Sequence, residues 1–337
     1  MRALVVVSLV IVLFLTVFAS QNAFSFDYKA NDFRRVTDLR KCNDCNLESY
    51  DFSDRELSFV QLNRSLLSKS DFRRSQLENA SFNASHLARA NFRGANLSGA
   101  NFSGADLRDA DFSHANLEGA NFSRADLSGA RFDASDLSGV IFRGAKMHKV
   151  QNLNRSVKKA LLSGADLSYS DLSGLDFGGM NLTYCKLIGA NLSHVSAEKT
   201  NFSGCDLSHA SAIQMIAKKA IFNGVNLSYA NFYKADLSAS QMNLVQARGL
   251  NIEQGNLSKV KLEGADLTEA NFALANLSKA LLKKSTLKKS SVYKAKLDQS
   301  ELCGSLLPDG KKAKTCPEDL SAFAVEESDM QILMDDL

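Results

Sequence analysis

A chain of 337 residues with 45% apolar residues and no tryptophan is long enough for two ordinary domains. Its formal net charge is only +3, but Arg2 contributes +1 and residues 308–337 contribute −5, which leaves +7 on residues 26–307. That basic body argues against function through a strongly acidic surface, and because Pro308 and Pro317 are the only prolines, every earlier backbone position can donate a hydrogen bond.

The chain opens on Arg2, an apolar run from Ala3 to Ala19, and the small-x-small triplet Ala23-Phe24-Ser25. This pattern predicts a secretory signal peptide over 1–25; the competing reading is an uncleaved membrane anchor, since the run is near the minimum length for a span. Export would permit disulfides. Residues 28–41 carry Phe33, Val36 and Leu39 at helical spacing, which predicts a short capping helix. With Cys42 and Cys45 it forms an N-terminal cap over 26–46.

From Leu47 to Leu307 every fifth residue is of one kind. The register holds 53 positions, 48 of them Leu, Phe, Met, Ile or Val. The residue two places earlier is small, as in the unbroken run from Ala95 to Ala130. A period of five suits neither helix nor straight strand. On a helix five residues advance about 500° and smear the apolar positions around the axis; on a strand an odd spacing alternates faces. The backbone must turn every five residues, which makes the chain a solenoid. Two inward positions two apart leave the residue between them, such as Asp106 or Asn96, pointing outward. The following pair, often Ser-Gly, suits the corner because Gly tolerates positive φ. Between Phe72 and Phe142, Phe and Leu alternate at the central position, so the number of sides per coil is even.

Ala-Asn-Leu-Ser-Gly (95–99), Ala-Asp-Leu-Ser-Gly (125–129) and Ala-Asp-Leu-Ser-Tyr (165–169) resemble the A(D/N)LXX consensus of pentapeptide repeat proteins. The resemblance covers roughly 47–307. It implies an all-β solenoid, a right-handed quadrilateral β-helix with four pentapeptides per coil. About thirteen coils at a strand spacing of about 4.8 Å would make a tower of roughly 60 Å. The Phe columns would then be two facing aromatic stacks.

Six cysteines need placing. A zinc half-site at Cys42-Asn-Asp-Cys45 lacks a second nearby pair, and a redox CxxC lacks a thioredoxin-like context. A structural disulfide locking the first coil is favoured, a feature that exported pentapeptide proteins share. Cys303 and Cys316 bracket the other end and are candidates for a second bond. Cys185 and Cys205, twenty apart at the small inward position, would stack in neighbouring coils and are read as free buried thiols. Past the last repeat, Leu307-Pro308-Asp309-Gly310 resembles the family's terminator. The segment 308–337 is a C-terminal cap with an acidic tail, whose Leu320, Phe323, Ile332, Leu333 and Leu337 fit either an amphipathic helix or a disordered segment.

The pattern fails most severely at Asn152 and Arg155, an Asn at the central position and an Arg at the small one. An unpaired Arg is untenable in a dry core, so a loop bulging out over 148–158 is expected. Ala212, Ala217 and Ala247 predict a thinner core. Lys158-Lys159-Ala160 and Lys218-Lys219-Ala220 lie sixty apart, which hints at a duplication that would stack basic loops on one side. Lysines also concentrate near the last coils, including Lys283, Lys284, Lys288 and Lys289.

No catalytic or cofactor constellation is visible. The five histidines (His86, His114, His148, His194, His209) lack metal-ligand spacing, and no nucleophile elbow or phosphate loop occurs. No cofactor and no metal are expected. The leading expectation is an exported non-enzymatic scaffold, periplasmic, secreted or in a thylakoid lumen, that binds a protein through the flat faces of its β-helix. Self-association end to end or face to face is also compatible. Two alternatives stand beside it. DNA-mimic, topoisomerase-binding members of the family share the fold but need an acidic surface. Binding of a polyanion or membrane surface would use the Lys-rich terminal coils; nucleic acid is the less favoured partner.

Overall fold

The computed structural model describes residues 31–313. The predicted signal peptide, Cys316 and the acidic tail lie outside the described residues. Within them the chain is a continuous solenoid. Parallel bridges join residues twenty apart, from Lys41↔Gln61 to Thr286↔Leu306, so four five-residue units complete one coil.

The backbone of each unit accounts for its own hydrogen bonds. In the unit containing Leu97, the Leu97 amide donates to Asn116 of the next coil (2.7 Å) and the Gly99 amide to Glu118 (2.8 Å). The Asn96 amide donates down to Ser75 (3.0 Å), and the Ala100 amide closes the corner on the Leu97 carbonyl (2.9 Å). The fifth donor, the Ser98 amide, is taken by the Asn96 side-chain Oδ1 (3.3 Å). The same Asx contact recurs at Asn101, Asp126, Asn201 and Asp236. Asn and Asp fill the outward position because they satisfy an amide that the ladder leaves over.

Each corner places its second residue in the left-handed region. Glycine suits that region, and Gly99 (φ +67°) is one case. Most corners nevertheless carry other residues there, such as Lys199 (φ +59°) and Tyr184 (φ +59°). Glycine is thus one of several residues that the corner accepts. Bonds to the coils on both sides hold the corner whatever its side chain.

Inside, Phe52, Phe72, Phe92, Phe112 and Phe132 form one stack, with ring centroids 4.9–5.4 Å apart. Phe82, Phe102, Phe122 and Phe142 form a second. The two meet edge to face, for example Phe72 and Phe82 at 5.6 Å and 82°. The alanine substitutions higher up do not leave the core empty. Ala212 and Ala217 are buried, and Met215 and Val195 occupy the small position at 0% exposure, adding volume there.

Three features differ from expectation. Cys42 and Cys45, placed by the register before the first repeat, belong to the first coil, since the ladder starts at Lys41. Residues 31–39 are helical. Val36 is buried, Phe33 stacks on Tyr50 (4.6 Å), and the Asp32 carboxylate accepts from the Asn46 amide (3.0 Å). Leu39 does not join them but is exposed; the additional buried side chain is Asp32.

The predicted loop at 148–158 is the largest correction. Instead of bulging out, the chain winds into a 3-10 helix over Arg155–Lys159, with Asn154 as its N-cap. Asn152 turns outward to donate to Asp133 (2.7 Å), and Leu153 and Val157 are buried. Arg155 is exposed, which removes the burial problem. Below this segment side chains replace the ladder: Asn154 Nδ2 donates to the Ser135 carbonyl (2.8 Å) and the Leu137 amide donates to Ser156 Oγ (2.9 Å). Above it, among the described residues, no bridge joins 151, 156 or 161 to 171, 176 or 181. The Lys158–Asp176 ion pair crosses this seam.

At the top, Leu307–Gly310 forms a turn and the chain reverses, so that Lys312 pairs antiparallel with Leu306. The last rung is thus covered by the chain itself.

Phe102→Ala should cost about 3–5 kcal/mol in chemical denaturation, because rings above, below and across leave the cavity no way to collapse. In hydrogen exchange, the amides of Asp171, Asp176 and Asn181 should exchange faster than those of Asn191 and Asp206, which keep their ladder acceptors.

Candidate interaction surfaces

The described residues offer no catalytic arrangement. One cluster, Asp32 with Cys42 and Cys45, has metal-ligating atoms in reach of one another. The two sulfurs, however, are joined in a disulfide with Cα atoms 5.6 Å apart, so they are not thiolate ligands. The bond sits in the core of the first coil. Cys303 is also disulfide-bonded, and its expected partner Cys316 lies outside the described residues. Cys185 and Cys205 are free and buried. Burial, and then the neighbouring Cys205, push the Cys185 thiol well above its ordinary range, which makes it a poor nucleophile.

The lysines predicted to matter are sorted by the twenty-residue coil. Lys158-Lys159 and Lys218-Lys219 fall on one edge, three coils apart. Lys158 pairs with Asp176 and Lys218 with Asp236 (3.5 Å), so the sixty-residue likeness extends to their partners. The two local backbones differ: Lys159 ends the 3-10 helix, whereas Lys219 is a left-handed corner residue. Lys283-Lys284 and Lys288-Lys289 lie on two other edges, and Lys283 is paired with Glu301 (2.8 Å). The predicted lysines therefore do not form one patch.

A second surface was not anticipated from the sequence. Tyr184 and Leu244 share one edge, with 76% and 69% of their surface exposed. Tyr169 and Tyr229 share the next edge and are also exposed. The four bound one face of the solenoid, whose outward residues include Lys186, Asp206, Asn226 and Gln246. Each side chain leans onto a glycine of the following coil. A Cβ on Gly204 would meet the Tyr184 ring at 2.7 Å, one on Gly249 the Tyr229 ring at 2.7 Å, and one on Gly189 the Tyr169 ring at 2.8 Å. Gly264 stands in the same relation to Leu244, at 2.9 Å. His209 stacks on Tyr229 (5.5 Å), and His148 meets Tyr169 edge-on (5.2 Å). Each ring is thus packed on backbone along one side, and that of Tyr229 lies between Gly249 and the His209 imidazole. The sequence signal was present as a corner Tyr followed twenty residues later by Gly, repeated after sixty residues. It is legible only once corners are known to stack.

Pentapeptide repeats match over 75–113, 85–124, 105–144 and 160–196, and a pentapeptide repeat region matches over 215–292; together they span more than half the chain. No curated protein matches the chain significantly. Among solved structures it is similar to HetL, a pentapeptide repeat protein involved in heterocyst differentiation regulation in the cyanobacterium Nostoc, at 24% identity, over 83% of this chain and 96% of HetL, with a TM-score of 0.28. It is similar to QnrB1, a plasmid-mediated fluoroquinolone resistance protein, at 16% identity over 58% and 96% of the two chains, with a TM-score of 0.39. It is also similar to Rfr23, a pentapeptide repeat protein of the cyanobacterium Cyanothece, at 29% identity over 33% and 92%, with a TM-score of 0.22.

Gly204→Ala should destabilise the protein by about 1–2 kcal/mol, from a left-handed alanine and a displaced ring. In a Tyr184→Ala background the ring part of the cost should vanish and the backbone part remain, as a double-mutant cycle in denaturant would show. With the repeat matches spanning most of the register and the ladder closing every twenty residues, the chain belongs to the pentapeptide repeat family.

Proposed function

We propose that this chain is an exported, non-enzymatic scaffold that docks a protein partner on one flat face. In this reading the predicted signal peptide is removed, and the mature protein is a right-handed tower of about thirteen coils. The helix over 31–39 and the Cys42–Cys45 bond close its lower end, and a Cys303–Cys316 bond fastens the upper one. Binding rests on surface complementarity and involves no bond-making.

The observation that carries the reading is the face bounded by Tyr169, Tyr184, Tyr229 and Leu244. Tyrosine is enriched among the residues that dominate protein interfaces, because it offers area at little cost in side-chain freedom. Here that cost is lowered further, since the rings are already packed on glycine. The acids of the face are partly neutralised: Lys186 lies 3.9 Å from Asp166, and Asn226 donates to Asp206 (3.1 Å). Such a face selects by shape more than by charge. Nucleic-acid mimicry has no comparable support, because residues 26–307 carry +7.

The test is capture from an extract of the protein's own compartment, with a photo-reactive residue at position 184 and a control at position 101 on another face. The expected result is a discrete crosslinked partner at 184 only, lost at least tenfold when Tyr169, Tyr229 and Leu244 are changed to Ser in an otherwise stable chain. Equal crosslinking at both positions, or retention by the triple variant, would sink the proposal.

A further inference from the structure

A different edge of the solenoid carries Lys199, Lys219, Lys259 and Lys279 at one corner position of stacked coils, with Ala239 at that corner between Lys219 and Lys259, and Lys159 at the end of the 3-10 segment below them. We propose that this edge is a binding site for an acidic polysaccharide lying along the tower axis. The inference is independent of the protein-docking face, from which this edge is separated by a full side of the coil.

The row is not a by-product of the repeat. Lower on the same edge the corner residues are Gly99, Gly119 and Gly139, and the lysines begin at the 3-10 segment. Lysines at the other three corners are scattered over distant coils and form no comparable run. Successive coils are about 4.8 Å apart, so the row from Lys199 to Lys279 is roughly 19 Å long. All five side chains are exposed, and none takes part in the ion pairs found among the described residues. By contrast Lys146, Lys158, Lys186, Lys218 and Lys283 each lie within 4 Å of a carboxylate. Unpaired ammonium groups one or two coils apart repel one another, and an anion shared between them would relieve that repulsion.

The shape of the row selects the kind of anion. A compact ion such as phosphate spans only one step of it. A DNA duplex winds its phosphates away from a straight line, with a full turn taking about 34 Å, so a straight row meets each strand at one or two places. Single-stranded nucleic acid is held on stacking aromatic rings, and the corner positions of this edge from 159 upward hold no aromatic residue. The outward positions on either side hold amides at Asn181, Asn201, Gln241, Asn256 and Asn276, interspersed with Ile216, Ile221, Lys261 and an Asp236 already paired with Lys218. Amides beside a line of positive charge suit a flexible chain that carries both hydroxyls and regularly spaced acids.

The experiment measures binding of the full chain to immobilised heparin and to alginate at about 0.1 M salt, with single-stranded DNA and anionic phosphatidylserine vesicles in parallel. The test variant is Lys199→Gly, Lys219→Gly, Lys259→Gly and Lys279→Gly together. Glycine already occupies this corner lower in the tower, so the fold should survive, as a thermal melt by circular dichroism would verify. The control removes the same charge elsewhere: Lys69→Gly, Lys149→Gly, Lys234→Gly and Lys289→Gly. The expected result is salt-sensitive binding to at least one of the two polysaccharides, weakened tenfold or more in the test variant and less than twofold in the control. Binding to heparin alone or alginate alone supports the site and identifies sulfate or carboxylate as its preferred acid. Equal losses in both variants would reduce the effect to net charge and overturn the assignment. So would no binding to either polysaccharide, or equally tight binding to DNA or vesicles.

Discussion

Everything in this structure depends on backbone hydrogen bonds between coils twenty residues apart. Each unit gives three amides to its neighbours, one to its own corner and the last to an Asn or Asp side chain. The ladder leaves little freedom. It sets two inward side chains per side and a left-handed residue at the second corner position, and it favours an outward Asn or Asp whose side-chain oxygen takes the amide left over. The amphipathic alternation of an ordinary sheet is replaced by this accounting, and the narrow core of Phe and Leu stacks follows from it.

Because the ladder fixes the corners whatever residues they hold, corner side chains are free to vary, and they stack in columns. A column is a better unit of surface chemistry here than any sequence segment. The pairing of Tyr184 with Gly204 is a property of one column, as is the run of lysines above Gly139. Neither involves residues close together in the chain. The sixty-residue likeness around Lys158 and Lys218 has the same explanation, since sixty residues return the chain to the same edge and present Asp176 and Asp236 to equivalent lysines.

That geometry decides what could be read from the sequence. Leu97 and Phe102 announce the period because burial tolerates few alternatives at those positions. The role of Asn96 beyond pointing outward was not legible, since nothing in a one-dimensional pattern shows that the Ser98 amide lacks a ladder partner. The break at Asn152 was visible, but its outcome was not. An Asn and an Arg in inward register exclude a regular coil, yet only the packing shows that Leu153 replaces Asn152 inside and that Asn154 and Ser156 occupy the vacated ladder. Leu39 misled for the converse reason: helical spacing predicts a shared face, but the first coil covers Asp32, Val36 and part of Phe33 and leaves Leu39 outside. The tyrosine face was hidden because its defining contact joins residues one coil apart.

The segment at 152–160 also divides two ways of handling positive charge. Below it the basic residues are largely arginines engaged with carboxylates. Arg64 and Arg74 reach one coil down to Asp44 and Asp54 (2.7 and 2.5 Å), and each guanidinium holds its carboxyl below the ordinary range. Arg108 and Arg131 pair within their own units. A planar guanidinium suits that use, because it binds both carboxylate oxygens at once. Above the segment lysine takes over, and Arg248 is the last arginine in the chain. A lysine at a corner is a mobile point charge, which makes it a poor staple between coils and a better contact for a ligand of variable shape. The lower coils thus spend their positive charge on internal pairs, and the aromatic stacks make them the more rigid part. The upper coils, with fewer such pairs and a mixed core, keep theirs at the surface. Both candidate surfaces lie at or above the seam, where the demands of the ladder are still met but side chains at the corners are no longer committed to holding it together.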